Sequence, residues 1–465
     1  MPKLRPHTLK ELPHPPSLWS LLGPSFILLG LGLGSGELIL WPYLTAHHGL
    51  GIIWGAVVGI TLQFFLNMEV ERYTLAKGES VFVGLAREFH YFSPIWFFFS
   101  TLIPWMWPGI IATSGLVLAR LFGWENPTQI ATILLIFLGI LLSTGKSIYH
   151  RLEQWQKLSL MIGVPFMVIV TLSIATPHDW QALNQGLLGQ GEGFTWFPKD
   201  LALLTFLGAL AYSGAGGNLN LAQSFYIKAK GYGMGKHAGT ISSLIHGAGG
   251  DITLEGFSFK HTKSNVAVFH KWWRLINIEH GLVFWLTGLV TMLTLAVLSY
   301  STVFRGGMEA PEGVGFLFAQ AEQIAAQTLP QVGTAFLVVV ALMLFSTQTS
   351  IFDATSRILA ENLVIFGRSF FDVHNMGKYY YMFLWLQIGL SIAVLQIGFT
   401  QPLLLVVISA VLNAITMGVY SLMIRRLNTS QLEAGLQPNW LRKAILTSLS
   451  IFFACIACLT LWQQL

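Results

Sequence analysis

The sequence predicts an all-α membrane protein in which eleven transmembrane helices form two inverted five-helix repeats and one additional helix. Three observations support this prediction. Hydrophobic residues make up 54% of the 465 residues and charged residues only 10%, whereas about 25% of residues are charged in a typical soluble domain. The basic residues collect in alternate loops between apolar segments. Finally, two glycine-rich interruptions occur five apolar segments apart.

The apolar segments are long enough to cross a bilayer, which takes about 20 residues of helix. The predicted spans are 18–47, 51–74, 93–122, 128–145, 154–176, 201–227, 275–302, 331–364, 379–398, 401–425 and 441–462, the first and sixth being broken. The predicted regions are a tail (1–17), a first five-helix repeat (18–176), an extracellular loop (177–200), a second repeat (201–425, with a cytoplasmic loop over 228–273) and a linker with helix 11 (426–465).

Lysine and arginine are unevenly distributed between the two sides of the predicted membrane. Of the 26 basic residues, all but Arg120, Lys199 and Arg305 fall on the side of the N-terminus. Cytoplasmic loops of membrane proteins carry such an excess. The sequence therefore predicts a multi-pass plasma-membrane protein with a cytoplasmic N-terminus and an outside C-terminus. The net charge of +5 follows from this topology and does not indicate nucleic-acid binding.

The first interruption is Gly30-Leu-Gly-Leu-Gly-Ser-Gly-Glu37, in the middle of the first span. Each glycine costs about 1 kcal/mol relative to alanine in a helix interior, so four of them favour an unwound segment. Irregular backbone at membrane depth needs protein or a water-filled cavity to satisfy it. An ionisable residue at this depth marks a functional site, so Glu37 is a candidate binding residue.

The second interruption, Tyr212-Ser-Gly-Ala-Gly-Gly-Asn218, lies in the sixth span. Phe26 precedes Gly34-Ser-Gly36 by the same spacing with which Phe206 precedes Gly214-Ala-Gly216. Because five spans separate the two breaks, the first runs from inside to outside and the second from outside to inside. Inverted repeats with broken helices place their substrate site between the breaks, near the membrane midplane. The sequence therefore predicts one site built from both breaks.

Several short motifs resemble those of the Nramp family of proton-coupled divalent-metal transporters. They are Gly23-Pro24 opening the first span, Tyr149-His-Arg-Leu-Glu153 before the fifth, Trp273-Arg-Leu-Ile-Asn277 entering the seventh and Ser346-Thr-Gln-Thr-Ser350 in the eighth. The resemblance extends over nearly the whole chain. It implies the leucine-transporter fold, with helices 1 and 6 broken, and transport of a divalent metal cation.

The two breaks depart from the metal-site motifs of that family. The family has Asp-Pro-Gly-Asn where this chain has Gly34-Ser-Gly-Glu37, and Met-Pro-His-Asn where this chain has Tyr212-Ser-Gly-Ala215. The Met thioether, which favours softer transition metals, is therefore absent. The third span offers no carboxylate for the family's usual proton route. The sequence thus resembles a divergent branch of the family.

The two breaks supply oxygen ligands only, which suit a hard cation such as Mg²⁺, Ca²⁺ or Mn²⁺. Glu37 contributes the carboxylate; in the alternative interpretation it only complements the dipole of the outer half-helix. The predicted binding residues are Gly34, Ser35, Gly36, Glu37, Tyr212, Ser213, Gly214, Asn218 and Asn220.

Further polar residues lie in the eighth and tenth spans. Asp353, Arg357 and Glu361 follow one another at i+4 spacing, so they share a helix face and can pair along it. They form either a gate that locks one state or a structural ladder of ion pairs. Gln348 and Asn413 are secondary candidates, with helix packing as the alternative for Asn413.

We expect a secondary transporter, since the sequence contains no Walker A motif, no His-Glu-x-x-His motif and no evident nucleophile–base pair of an enzyme. Its expected environment is the lipid bilayer, and its expected substrate is a divalent cation of the Mg²⁺ or Mn²⁺ class. No cofactor is predicted, and H⁺ or another ion is the candidate coupling ion. The alternative is an ion-coupled carrier of a small organic solute such as an amino acid, because wide glycine-lined breaks leave room for one. A third hypothesis, a non-transporting sensor or scaffold, leaves the breaks unexplained.

Overall fold

The structure, a computed structural model, describes residues 4–21, 23–144, 148–238, 254–307 and 310–463. A helix occupies each predicted span. These are Pro24–His48 (span 1), Leu50–Lys77 (span 2), Phe92–Phe122 (span 3), Pro127–Ser143 (span 4), Ile148–Ile174 (span 5), Leu203–Ala211 with Leu219–Lys230 (span 6), Lys263–Phe304 (span 7), Pro330–Phe366 (span 8), Val373–Gln396 (span 9), Pro402–Ser430 (span 10) and Trp440–Gln463 (span 11). Among the described residues, eight helices have by themselves the length and hydropathy of a membrane span, and span 4 is a shorter apolar helix.

Short elements cover the two faces of the helical bundle. On the face that carries the N-terminal tail, called the inner face below, strand Thr8–Leu9 pairs in parallel with strand Phe257–Ser258, and helix Val81–Phe89 follows span 2. On the opposite, outer face are helices Pro177–Leu187 and Phe316–Gln327 and an antiparallel hairpin of Gln190–Gly191 with Phe194–Thr195.

Several helix boundaries differ from the prediction. Span 1 begins at Pro24, since proline suits the first position of a helix, and Leu18–Leu21 forms a separate 3₁₀ turn. Span 7 begins at Lys263 rather than at 275, because the Thr262 side chain caps it there. Span 10 continues to Ser430 instead of ending at 425. Residues 239–253 of the predicted cytoplasmic loop lie outside the described residues.

Span 3 contains an interruption that the sequence analysis did not predict. One helix ends at Trp105 and the next begins at Gly109. Pro104 and Pro108 explain the interruption, because proline lacks the N–H that a helix needs and its ring clashes with the preceding turn. The prediction of an unbroken third span was therefore wrong.

Span 1 lies at the centre of the bundle. In its apolar stretch 94% of the residues are buried, against 33% for span 5. It packs against spans 5, 6, 7 and 8, so the first glycine-rich segment is surrounded by protein. Phe137, Ile162 and Ile169 of spans 4 and 5 are instead exposed at the periphery, as expected of side chains that contact lipid. The protein is an integral multi-pass membrane protein.

Candidate functional site

The predicted break in span 1 is a π-helical segment rather than an unwound one. Leu33–Leu40 lies between the α-helical stretches Pro24–Gly32 and Trp41–His48. The Trp41 N–H donates to the Gly36 carbonyl, five residues earlier, which is the hydrogen bond of a π-helix. The glycines therefore widen the helix without leaving its backbone unpaired. This is how the chain meets the requirement that backbone groups at membrane depth be satisfied.

The backbones of the two breaks lie directly against each other. A Cβ atom added to Gly36 would overlap the carbonyl oxygen of Tyr212. One added to Gly32 would lie 2.7 Å from the carbonyl carbon and oxygen of Gly214. Only glycine permits so close an approach of two backbones. The structure thus brings together the two segments that the sequence related by an inverted repeat.

Span 8 closes another side of the first break. A Cβ added to Gly34 would lie 2.7 Å from the Cβ of Thr347. The Thr347 hydroxyl donates to the Gly30 carbonyl at 3.0 Å. Gln348, a predicted secondary candidate, is buried beside Thr347. The Thr347 side chain of span 8 therefore contacts the backbone of the first break.

Glu37 is fully buried, and neither of its carboxyl oxygens has a hydrogen-bond partner among the described residues. Its Oε1 lies 3.4 Å from the position of a Cβ added to Gly288 of span 7. Leu29 and Ile60 line the same point. The Ser35 hydroxyl, also buried, has no partner within the described chain either. A buried carboxylate without a partner is costly, so Glu37 requires a proton or a cation.

Span 6 is unwound between Ala211 and Leu219, as predicted. The hydroxyls of Tyr212 and Ser409 share a hydrogen bond of 2.6 Å, and Asn413 Nδ2 donates to the Tyr212 hydroxyl at 3.0 Å. The Tyr212 ring stacks on Trp105, with centroids 5.6 Å apart. The structure therefore joins two predicted residues, Tyr212 and Asn413, but on the side of spans 3 and 10.

The next two residues of this break are fixed by spans 1 and 2. The Ser213 hydroxyl donates to the Ala209 carbonyl at 2.9 Å and accepts from Trp41 Nε1 at 3.0 Å. A Cβ added to Gly214 would lie 2.8 Å from Gln63 Oε1. Neither residue leaves a polar side-chain atom directed at Glu37.

Gln63 of span 2 holds the second break in place. Its Oε1 accepts from the Gly216 N–H at 3.1 Å and from Asn220 Nδ2 at 3.2 Å, and its Nε2 donates to the Ala211 carbonyl at 3.0 Å. Asn220 Nδ2 also donates to the Tyr420 hydroxyl at 3.2 Å. The sequence analysis missed Gln63. The signal in the sequence was a glutamine inside an apolar span, because side-chain amides in such positions form hydrogen bonds to neighbouring helices.

Asn218 is bound to span 3. Its Nδ2 donates to Ser100 Oγ at 2.9 Å and to Thr101 Oγ1 at 2.8 Å, while its Oδ1 has no partner among the described residues. The predicted convergence of second-break side chains on Glu37 is therefore not what the structure has. The reason is the π-helical register of span 1, which turns Glu37 toward Gly288 of span 7.

The predicted ladder on span 8 is realised in part. Arg357 donates to both carboxyl oxygens of Asp353, at 2.9 and 3.0 Å, and the Tyr380 hydroxyl donates to Asp353 Oδ1 at 2.9 Å. Glu361 instead accepts from the Ser80 hydroxyl at 2.6 Å. The described contacts thus form one buried ion pair followed by a separate carboxyl. Its role as a gate stays a prediction.

The structure also contains a second group of buried ionisable residues, of which the sequence analysis missed Glu279 and His280. Glu71 of span 2 lies with Glu279 and His280 of span 7, and Ser25 of span 1 contacts both span 7 residues. Glu279 and His280 fall inside the predicted seventh span, where adjacent ionisable residues mark a functional site. That position was sufficient reason to single them out.

Outside the spans, an ionic network ties the N-terminal tail to the inner face. Arg87 donates to the Glu79 carboxyl oxygens at 2.9 and 3.0 Å, and His7 Nε2 lies 3.0 Å from Glu79 Oε1. Burial alone would raise the pKa of Glu79, but the hydrogen bonds from His7 and Arg87 and their charges hold that pKa well below its usual range. Arg87 also donates to the Arg5 carbonyl at 2.9 Å, which fixes the tail against the inner ends of the spans.

The sequence matches no family model and no curated protein. Solved structures do match. A mutant of the manganese transporter of Eremococcus coleocola has a TM-score of 0.64 and 14% identity, over 96% of this chain and 89% of that one. The same transporter in complex with an aromatic bis-isothiourea compound gives 0.61 and 15%, over 97% and 90%. MHP1, a nucleobase-cation-symport-1 family transporter in a closed conformation with bromovinylhydantoin bound, gives 0.57 and 12%, over 96% and 91%.

These likenesses show the fold. The prediction of an all-α membrane protein with a leucine-transporter-like fold is confirmed. The structures with which it shares that fold are those of membrane transporters.

Proposed function

We propose that this chain is a secondary transporter that moves a divalent metal cation of the Mg²⁺ or Mn²⁺ class by alternating access. Glu37 carries the proposal: it is a fully buried carboxyl without a hydrogen-bond partner in the described chain, and it lies where the two repeats touch. A carboxylate in that position stabilises a cation and is in turn stabilised by one. Hard divalent cations prefer such oxygen ligands.

The π-helical segment supplies the second part of the proposal. Such segments occur frequently at functional sites. Rewinding or opening Leu33–Leu40 releases backbone carbonyls next to Glu37, and the Ser35 hydroxyl is already without a partner in the described chain. The described residues contain no group of three or more His, Cys, Asp or Glu side chains placed to hold a metal. The cation therefore takes one carboxylate, neutral oxygens and retained water.

The contact between the breaks makes this conformation a closed one. Gly36 against Tyr212 and Gly32 against Gly214 leave no gap between the two backbones. Access to Glu37 then requires the two segments to separate, toward one face at a time, as alternating access demands. We place the inner face in the cytoplasm and the protein in the plasma membrane, because nearly all basic residues lie on the side of the N-terminus.

The likeness in fold to a manganese transporter supports the choice of a divalent cation. A second candidate function, transport of a small organic solute, is supported by the likeness to a transporter with a hydantoin bound. It is also supported by the Trp105–Tyr212 stack beside the second break, since stacked aromatic rings suit a planar solute. The two candidates differ in what Glu37 does: it binds the cation directly in the first and serves only the coupling ion in the second.

Uptake into proteoliposomes separates the two candidates. The compounds offered for uptake are Mg²⁺, Mn²⁺ and Ca²⁺ in one set of assays and amino acids and nucleobases in the other. Proteins to compare are the wild type, Glu37→Gln and the control Glu125→Gln, which makes the same chemical change on an exposed loop. We expect saturable uptake of one cation by the wild type and by the control, and background uptake by Glu37→Gln.

Two outcomes contradict the proposal. Folded wild-type protein that takes up none of the three cations but takes up an organic solute supports the second candidate. Equal cation uptake by the wild type and Glu37→Gln shows that the carboxyl at this position is not the binding group.

A further inference from the structure

Four buried side chains from three spans contact one another in series near the inner end of span 1. The Ser25 hydroxyl donates to Glu279 Oε2 at 2.5 Å, and His280 Nδ1 lies 2.8 Å from Ser25 Oγ. His280 Nδ1 also lies 3.3 Å from Glu71 Oε1. Gln223 of span 6 donates to that same Glu71 oxygen at 2.7 Å. The chain thus runs from Glu71 through His280 and Ser25 to Glu279.

This group is buried but not satisfied. Glu71 Oε2, Glu279 Oε1, His280 Nε2 and Gln223 Oε1 have no hydrogen-bond partner among the described residues. All four residues are at most 2% exposed. Two carboxyls and an imidazole are therefore buried together, and each still has an acceptor atom without a partner in the described chain. A buried set of this kind is stable only when something positively charged occupies it.

The surrounding charges do not neutralise the two carboxyls. The positive charge of Lys230 in span 6 attracts the Glu279 carboxylate. The negative charge of Glu279 repels that of Glu71. On span 2, Arg72 Nε lies 2.8 Å from Glu69 Oε2, so this arginine pairs with Glu69 and not with Glu71. Glu279 also accepts from backbone N–H groups at the start of span 1. The group retains an excess of negative charge unless it takes up a proton.

The ring of His280 is held rigidly in the group. It stacks between Phe64 and Phe284, with centroids 5.6 and 4.7 Å away. This clamp fixes Nδ1 toward Ser25 and leaves Nε2 as a free acceptor, which is the arrangement of an imidazole that receives a proton. A second π-helical segment, Gly281–Leu286, begins directly after His280.

The group lies along the same contact between spans 1 and 7 as Glu37. Glu37 faces Gly288, which follows His280 by two turns of span 7. Along span 1, twelve residues separate Ser25 from Glu37, which is about 18 Å of helix. Two of the three π-helical segments among the described residues, Leu33–Leu40 of span 1 and Gly281–Leu286 of span 7, border this contact between the two spans. A proton released from the inner group and a cation bound at Glu37 thus affect the same pair of helices.

We propose that Ser25, Glu71, Glu279 and His280 form a proton-binding site, distinct from Glu37, that loads and releases one proton from the inner face during each transport cycle. The coupling of this proton to a transport cycle rests on the proposed function, whereas the binding of the proton does not. Binding adds one proton to one of the two carboxylates of the group, and release returns it to water at the inner face. A metal is disfavoured as the occupant, because these side chains are not placed as a metal site.

Infrared difference spectroscopy of the purified protein after a pH step measures the proton directly, through the C=O stretch of a carboxylic acid. We use Glu37→Gln as the background, since it removes a buried acid whose two carboxyl oxygens both lack a partner in the described chain. A pH-dependent carboxylic acid band is expected there, and it is expected to be lost in Glu37→Gln combined with Glu279→Gln or with Glu71→Gln. Addition of Glu125→Gln, on an exposed loop, is expected to leave the band unchanged.

The inference is overturned if the Glu37→Gln protein shows no such band, or if the band persists in both combined variants. Should the combined variants not fold, Ser25→Ala on the same background decides: a shifted band supports the site, and an unshifted one contradicts it. Lumenal pH during cation uptake tests the cycle separately. Wild-type protein that binds the proton but transports no cation contradicts the proposed function and leaves the proton site standing.

Discussion

The two breaks occupy equivalent places in the two repeats, yet they are built in opposite ways. In span 1 the backbone stays paired within a π-helix, and the side chain of Glu37 has no hydrogen-bond partner in the described chain. In span 6 the backbone is unwound, and the side chains of spans 2, 3 and 10 are engaged in holding it. The comparison suggests a division of labour: the first break binds and the second provides the frame.

The division follows from the cost of unpaired backbone at membrane depth. The unwound segment of span 6 needs the Gln63 amide for the Gly216 N–H and the Tyr420 hydroxyl for the Gly217 carbonyl, the latter at 2.6 Å. Those partners are then not available to a substrate. The π-helical backbone of span 1 is paired within the helix, so the Glu37 carboxyl is not needed to hold backbone groups and is free to bind a cation.

Gln63→Leu is the largest expected disturbance of the frame. It leaves the Gly216 N–H and the Ala211 carbonyl unpaired in the interior. A buried group that loses its partner costs about 1–3 kcal/mol, so we expect a loss of about 3 kcal/mol for the pair. Thermal unfolding in detergent measures it, with Gln396→Leu on the exposed end of span 9 as control. Similar melting of both variants contradicts the role given to Gln63.

Gly36→Ala tests the contact between the two breaks. The added methyl group overlaps the Tyr212 carbonyl oxygen, which belongs to the backbone and not to a flexible side chain. Overpacking of this kind costs about 1–3 kcal/mol. Gly389→Ala on span 9 is the matched control, because a Cβ there meets nothing within 4 Å. The breaks are not in firm contact if the two alanine variants have the same melting temperature.

Tyr212→Phe is expected to have the smallest effect. It removes the hydroxyl that binds Ser409 and Asn413 but keeps the stack on Trp105. Two hydrogen bonds are lost, and each contributes about 0.5–1.5 kcal/mol, so we expect a loss of about 1–2 kcal/mol in unfolding free energy. Transport is expected to continue. If Tyr212→Phe abolishes transport while the protein stays folded, the second break does more than provide the frame.

The sequence was sufficient for the number of spans, the positions of both breaks and the burial of Glu37 inside a span. It was not sufficient for their geometry. Four glycines weaken an α-helix, but whether it unwinds or becomes a π-helix depends on neighbours such as Gly214 and Thr347, which are distant in sequence. The direction of Glu37 follows from that register, which is why the second-break side chains do not contact it in the described structure.

Other features were visible in the sequence and were not used. Pro104 and Pro108 in the third span predict an interruption. Gln63, Glu279 and His280 are polar groups inside apolar spans, and each proved to have partners from other spans. A systematic search for buried polar residues in every span, not only in the glycine-rich ones, would have found them. Their partners could not be predicted, because they come from distant parts of the chain.

Calorimetric titration with Mg²⁺, Mn²⁺ and Ca²⁺ is the most direct test of the claim that the first break binds and the second provides the frame. The proteins to compare are the wild type, Glu37→Gln and Tyr212→Phe, each shown to be folded. We predict saturable binding of one cation to the wild type, an unchanged affinity in Tyr212→Phe and no saturable binding to Glu37→Gln. Equal binding by Glu37→Gln and the wild type, or loss of binding in Tyr212→Phe alone, would contradict the account.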